Sequence, residues 1–222
     1  MSPLPTKMID RWHSRSEPGP GQGVVYWHVL FGADPEVRRQ AQRVQEKLSR
    51  FSGLHMTPLR WLHMTTLVVG PTEGLSANAL NELADKASRR VSLIEPTSVS
   101  LKKIIYHPEA IMVGVDPRTA LQPLFEALRE ATREVTGKAG LHEPETWTPH
   151  VTLCYSTAYQ PAQPLIDALG RELSPCDATV STVSLVVQEG AERRWDWHPI
   201  AQVPLGRAEP VGSRGQGPAC SA

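Results

Sequence analysis

Two short runs of this chain share an unusual pairing. Trp61-Leu62-His63-Met64-Thr65-Thr66-Leu67-Val68-Val69-Gly70 and Thr148-Pro149-His150-Val151-Thr152-Leu153-Cys154-Tyr155 are apolar stretches, each holding a His and, two positions later, a Thr. Read as strands, they put each His and its Thr on one face and the intervening Met64 or Val151 on the other. The resemblance between the two runs extends upstream. Thirty-nine positions separate the start of an apolar run at Val24 from His63, and thirty-nine separate the run at Ile111 from His150. An Asp-Pro pair follows each run, at Asp34-Pro35 and Asp116-Pro117. Asp before Pro reads as a helix start, because the carboxylate caps unpaired amides and Pro loses nothing at the first helical position. The chain therefore reads as one strand–helix–strand–helix–strand unit used twice.

The spacing predicts strands near 24–31, 61–70, 97–106, 111–115, 148–155, 178–188 and 195–203. Helices are predicted near 35–50, from 76 to 91, between Asp116-Pro117 and a stop at Gly137, and over a short stretch ending at Gly170. The predicted class is α+β and bilobal: two pseudo-symmetric β-α-β-α-β lobes, over 24–106 and 110–203, with antiparallel-rich sheets facing a central cleft. A pseudo-two-fold axis between the units brings both His-x-Thr strands to that cleft. Residues 24–205 are expected to form one domain. Residues 1–23 and 206–222 are rich in Pro, Gly, Ser and charge, and are expected to be a mobile leader and a disordered tail.

Lys plus Arg and Asp plus Glu balance at 23 each, which leaves no net field for gripping long duplex nucleic acid or an anionic membrane. No run reaches the roughly 20 apolar residues of a membrane span, and the first residues lack the apolar centre of a signal peptide. The three cysteines, Cys154, Cys176 and Cys220, have neither the number nor the spacing of a disulfide framework or a zinc site. A monomeric cytoplasmic protein with no metal and no cofactor is the expectation.

Histidine near its usual pKa of about 6.5 can take or give a proton. Two histidines facing one substrate can act as general base and general acid. On a strand, Thr at the next same-face position lies about 6.5–7 Å along, where its hydroxyl can donate to a developing oxyanion. Such a set suits displacement at phosphorus. Neither a Gly-x-Ser-x-Gly elbow for acyl transfer nor a Gly-x-x-x-x-Gly-Lys phosphate loop is present.

His63-Met64-Thr65 and His150-Val151-Thr152-Leu153, in matching halves, resemble the two-histidine (2H) phosphoesterase superfamily, in its bacterial 2′-5′ RNA ligase-like branch. The resemblance covers about Val24 to Val203. It implies a cleft between lobes and metal- and ATP-independent chemistry on 2′,3′-cyclic phosphates of nucleotides or RNA ends. It also implies His63 and His150 as acid and base, and Thr65 and Thr152 as donors to phosphate oxygens. Cyclic phosphodiesterase action leads; 2′-5′ RNA ligation, 2′-5′ oligonucleotide cleavage and non-catalytic nucleotide or RNA binding are the alternatives. Thr66 stands where the family usually has an apolar residue, and Tyr155 where many ligase-like relatives carry a basic one. Trp61, Trp147 and Tyr155 flank the motifs and could stack a base or pack a core. His55-Met56-Thr57 is followed by Pro58 and reads as a loop rather than a third site. His28, His107, His142 and His198 have no partner pattern and read as surface or structural residues.

Overall fold

A computed structural model describes residues 4–19, 21–141 and 147–206. In chain order it contains β1 (Lys7–Met8), β2 (Gly23–Leu30), α1 (Pro35–Leu48), β3 (Leu54–Met56), β4 (His63–Pro71), α2 (Ala77–Val91), β5 (Thr97–His107) and β6 (Ala110–Asp116). Then follow α3 (Gln122–Thr136), β7 (His150–Ser156), β8 (Gln160–Pro161), α4 (Gln163–Leu169), β9 (Glu172–Val180), β10 (Thr182–Glu189) and β11 (Trp197–Pro204). Two antiparallel sheets organise the molecule. One has the order β11-β10-β2-β4, the other β3-β7-β6-β5-β9, and β1 pairs only with β8.

The repeat is present, but its units do not coincide with the lobes. In the four-stranded sheet β2 and β4 come from the first unit while β10 and β11 come from the second; in the five-stranded sheet β6, β7 and β9 are joined by β3 and β5 of the first unit. The helices cross over as well, with α1 packing on β7, β9 and α4, and α3 packing on β4 and α2. Each lobe thus takes elements from both halves.

Local chemistry explains most boundaries. Asp34 caps α1, its Oδ1 accepting from the amides of Glu36 (2.9 Å) and Val37 (3.0 Å), with Pro35 at the first position. Val37, Ala41, Val44 and Leu48 form the buried stripe of α1. Two glutamines fasten this helix to the second sheet: the Gln40 amide donates to the carbonyls of Leu101 and Ser174, and the Gln45 amide to those of Thr57 and Leu153. Gly137, at φ 75°, ends α3 with its N–H on the Arg133 carbonyl, as the sequence predicts. The second Asp-Pro behaves differently from the first. Asp116 ends β6 and pairs with Lys102 at 2.6 Å, and α3 begins only at Gln122, with no side-chain cap.

Two further expectations are corrected. The predicted strand at 178–188 is two strands in different sheets, parted at Ser181. His55 lies in the short edge strand β3 opposite Tyr155, not in a loop. The leader also departs from the expected mobile segment over its described residues 4–19. Met8 is fully buried, the amide of Ile9 donates to the Pro108 carbonyl, and that of Arg11 donates to Ser156. Met8 sits in the main hydrophobic core, so this stretch buries apolar surface as the folded body does. The tail expected at 206–222 lies, after Gly206, outside the described residues, as do Cys220 and His142. Among the described residues, no helix is long and apolar enough to cross a membrane.

Candidate active site

Alternation on β2 sends Val25, Trp27 and Val29 into the core and leaves Tyr26 and His28 on the opposite face, toward the cleft. The neighbouring strand β4 opens with His63, and β7 in the other sheet opens with His150. A cavity of about 760 Å³ between the sheets is lined by His63, Thr65, His150 and Thr152 together. The four motif residues predicted from sequence therefore share one space. Two contacts tie the chain between α3 and β7 to β4: the indole Nε1–H of Trp147 donates to the Thr65 carbonyl at 3.2 Å, and the amide of Leu141 donates to the Val68 carbonyl at 2.8 Å.

The two histidines are anchored in the same way. His63 Nδ1 lies 2.8 Å from the carbonyl oxygen of Trp61, and His150 Nδ1 lies 2.7 Å from that of Thr148. A carbonyl oxygen can only accept, so Nδ1 carries the proton in each ring and Nε2 is left to exchange one with a ligand. In each case the carbonyl belongs to the residue two positions earlier. A 3-10 turn over Leu59–Trp61 presents the first of them. Gly32 permits this turn to approach β2, since a Cβ there would stand 2.0 Å from the Arg60 carbonyl oxygen.

Burial pushes the His63 imidazole down to about 4, against the opposing pull of its bond to Trp61 and of the Glu192 charge. His150 is also lowered, chiefly by burial, its bond to Thr148 resisting and the His107 and Arg11 charges adding to the shift. Without a ligand both rings are neutral at pH 7. Burial pushes the Tyr155 phenol up to about 12. Among the described residues, no group of three His, Cys, Asp or Glu side chains is placed to hold a metal ion.

Several residues of the cavity were not found from sequence. His28 is buried, sits opposite Thr65 in register, and has its ring 4.4 Å from that of His63 and 5.0 Å from that of Tyr26. A lone histidine in an apolar strand carries no signal of this, because its neighbour β4 comes from 35 residues later in the chain. Residues 11–18 form a strap along one side. The Arg11 guanidinium donates to both carboxylate oxygens of Glu192 (2.9 and 2.7 Å) and to Glu109 (3.0 Å), so one side chain joins the loop after β10 to the turn before β6. Arg15 also reaches Glu109, and Arg193 pairs with Glu17. The floor is aromatic: Tyr155, Trp195 and Trp197 cluster with Met112 and Val186, and Trp12 packs against His55 and Tyr155.

The three aromatic candidates separate. Tyr155 lines the cavity beneath the Arg11 guanidinium, 4.4 Å from the ring centre. Trp147 stacks on Phe125 at 4.9 Å and serves the frame rather than the cavity wall. Trp61 lines a neighbouring cavity instead. Thr66, the departure from the family pattern, is buried with its hydroxyl unpartnered.

The family model of the 2′-5′ RNA ligase superfamily matches residues 31–192. The chain belongs to that superfamily. Solved structures place this 2′-5′ RNA ligase superfamily member beside TT0787 of Thermus thermophilus, with a TM-score of 0.63 and 20% identity over 83% of this chain and 100% of that one. Escherichia coli LigT complexed with ATP gives 0.62 and 17% over 84% and 99%, and LigT complexed with 3′-AMP gives 0.61 and 20% over 86% and 100%. At these identities the likeness is one of fold. No curated protein matches the chain in sequence. The strap precedes residue 31 and so lies outside the superfamily match.

Proposed function

We propose that this 2′-5′ RNA ligase superfamily member is a metal-independent phosphodiesterase that opens 2′,3′-cyclic phosphates of nucleotides or RNA ends, using His63 and His150 as its proton carriers. The observation that carries the reading is the matched pair of Nδ1–carbonyl anchors, which present two Nε2 atoms to one cavity also lined by Thr65 and Thr152. A neutral Nε2 accepts the proton of an attacking water. The opposite imidazole, protonated when the anionic phosphate enters and favours its charged form, gives its proton to the departing ribose oxygen. The hydroxyls of Thr65 and Thr152 donate to the non-bridging oxygens as charge grows on them. Replacing water by a ribose hydroxyl runs the same proton transfers toward 2′-5′ ligation.

The aromatic floor, with Tyr155, Trp195 and Trp197, suits a nucleobase or ribose face. Arg11 over Tyr155 brings a cation to the position where many relatives carry a basic residue in the strand itself. The LigT complexes with ATP, 3′-AMP and NADP+ are consistent with a nucleotide-sized ligand. The test is turnover of 2′,3′-cyclic AMP with EDTA present. His63→Ala and His150→Ala are each expected to lower kcat by about 10²–10⁴. Wild-type activity in either variant, or loss of all activity on chelation, would sink the proposal.

A further inference from the structure

The cleft face of the four-stranded sheet continues past the catalytic cavity. Along β2 that face carries Tyr26, His28 and then Leu30; on β10 it carries Ser184, paired with His28, and on β11 Gln202, paired with Ser184. The strap closes the Gly23 end, where Glu192 and Arg193 follow the pairing of Glu189 with Gly23. At the Leu30 end there is a second cavity of about 580 Å³, and no strap residue lines it. Its wall includes Leu30, Arg60, Trp61, Ser184, Trp197 and Gln202.

Trp197 lines both cavities. Its ring lies 4.6 Å from that of His63 and 4.8 Å from that of Trp61, and the Arg60 guanidinium stands 5.5 Å from the Trp61 ring centre. A line of rings thus leads from the first catalytic histidine to an exposed cation. The rest of the wall offers uncharged donors and acceptors beside apolar side chains, and the one carboxylate among its described residues, Asp34, caps α1 through its Oδ1. An aromatic face, a cation and neutral polar groups together suit a single-stranded nucleotide, whose base stacks while its phosphate meets the charge.

Resting on the phosphodiesterase reading, the chemistry of the substrate fixes a direction. In a 2′,3′-cyclic phosphate both ribose hydroxyls are taken, so an RNA can continue only through the 5′ oxygen. We propose that the second cavity is a subsite for the nucleotide 5′ to the one bearing the cyclic phosphate, with Trp61 as its stacking face and Arg60 as its phosphate contact. The preferred substrate is then an RNA end of at least two nucleotides rather than a free cyclic mononucleotide.

The test uses unreactive product-like ligands, adenosine 2′-monophosphate and the diadenosine ApA bearing a terminal 2′-phosphate, titrated calorimetrically into the full chain. The dinucleotide is expected to bind about tenfold more tightly, the worth of one stacked base and one ionic contact. Arg60→Glu, at an exposed site, is expected to abolish that advantage and leave mononucleotide affinity within about twofold. Arg89→Glu, exposed on α2, is expected to change neither. Equal affinities in the wild type, equal weakening of both ligands by Arg60→Glu, or an equal effect of Arg89→Glu would each overturn the subsite while leaving cyclic mononucleotide turnover to stand. Failure of both ligands to bind, with no turnover, overturns the phosphodiesterase reading and the subsite together.

Discussion

Acid should destabilise this protein through the histidines of its cleft. His63 takes up a proton near pH 6.5 when unfolded but only at about 4 when folded. The unfolded chain therefore binds more protons between these values, so the contribution is intact above about pH 7 and is lost as pH falls through that window. The linkage relation gives a loss of about 2 kcal/mol between pH 7 and pH 5 from His63 alone, growing to about 3 kcal/mol at pH 4. His28, lowered by burial and by the neighbouring His63, and His150, lowered chiefly by burial, act in the same direction. The carboxyl of Glu134, held below its usual value by Lys86 and Arg90, adds a loss of the same sign only at the acid end of the window. The assay is urea unfolding followed by tryptophan fluorescence at pH 7, 6 and 5, in buffers free of phosphate, which could occupy the site. With a slope of about 2 kcal/mol per molar, the His63 share alone lowers the midpoint by about 1 M between pH 7 and 5. His63→Gln, which fills similar space without titrating, should shrink the pH-dependent loss by about that amount. A midpoint that is the same at pH 5 and 7, or an undiminished loss in His63→Gln, would refute the burial argument.

Other substitutions probe the frame and the strap. Thr66→Val removes a buried hydroxyl that has no partner, so thermal or urea unfolding should show no loss of stability, or a gain of up to about 1 kcal/mol. Gly32→Ala drives a methyl into the Arg60 carbonyl and displaces the turn that anchors His63; a loss of about 2 kcal/mol or more and a fall in kcat are expected together. Asp34→Ala uncaps α1 and should cost about 1 kcal/mol in the same unfolding assay. Arg11→Gln leaves Glu109 and Glu192 without their shared cation and should cost about 2 kcal/mol, with limited proteolysis cutting first within residues 9–18.

The pair of His-x-Thr strands, the duplicated spacing and the Asp34 cap could all be read from the chain because they are local. A strand period puts His63 and Thr65 on one face whatever the strand packs against, and a carboxylate before Pro35 caps a helix by contacts two and three residues away. The second Asp-Pro shows where such reading ends. Asp116 found a partner in Lys102 across the sheet, and nothing near it in sequence announces that choice. The break at Ser181 was hidden for a related reason, since the last residues of β9 and most of β10 read as one strand over 178–188, whose parts pair in different sheets.

The sequence by itself determined which side chains share a strand face: a Thr beside His63 and a Thr beside His150, at matching places in a repeated unit. Only the tertiary structure decided what surrounds them. Lobes that exchange strands and helices between the repeats, His28 behind His63, and a leader bound into the cleft by Arg11 all depend on contacts between residues far apart in the chain. Periodicity reports which face of a strand is apolar, but not which distant element will cover it; that choice is made when the whole chain buries its surface at once.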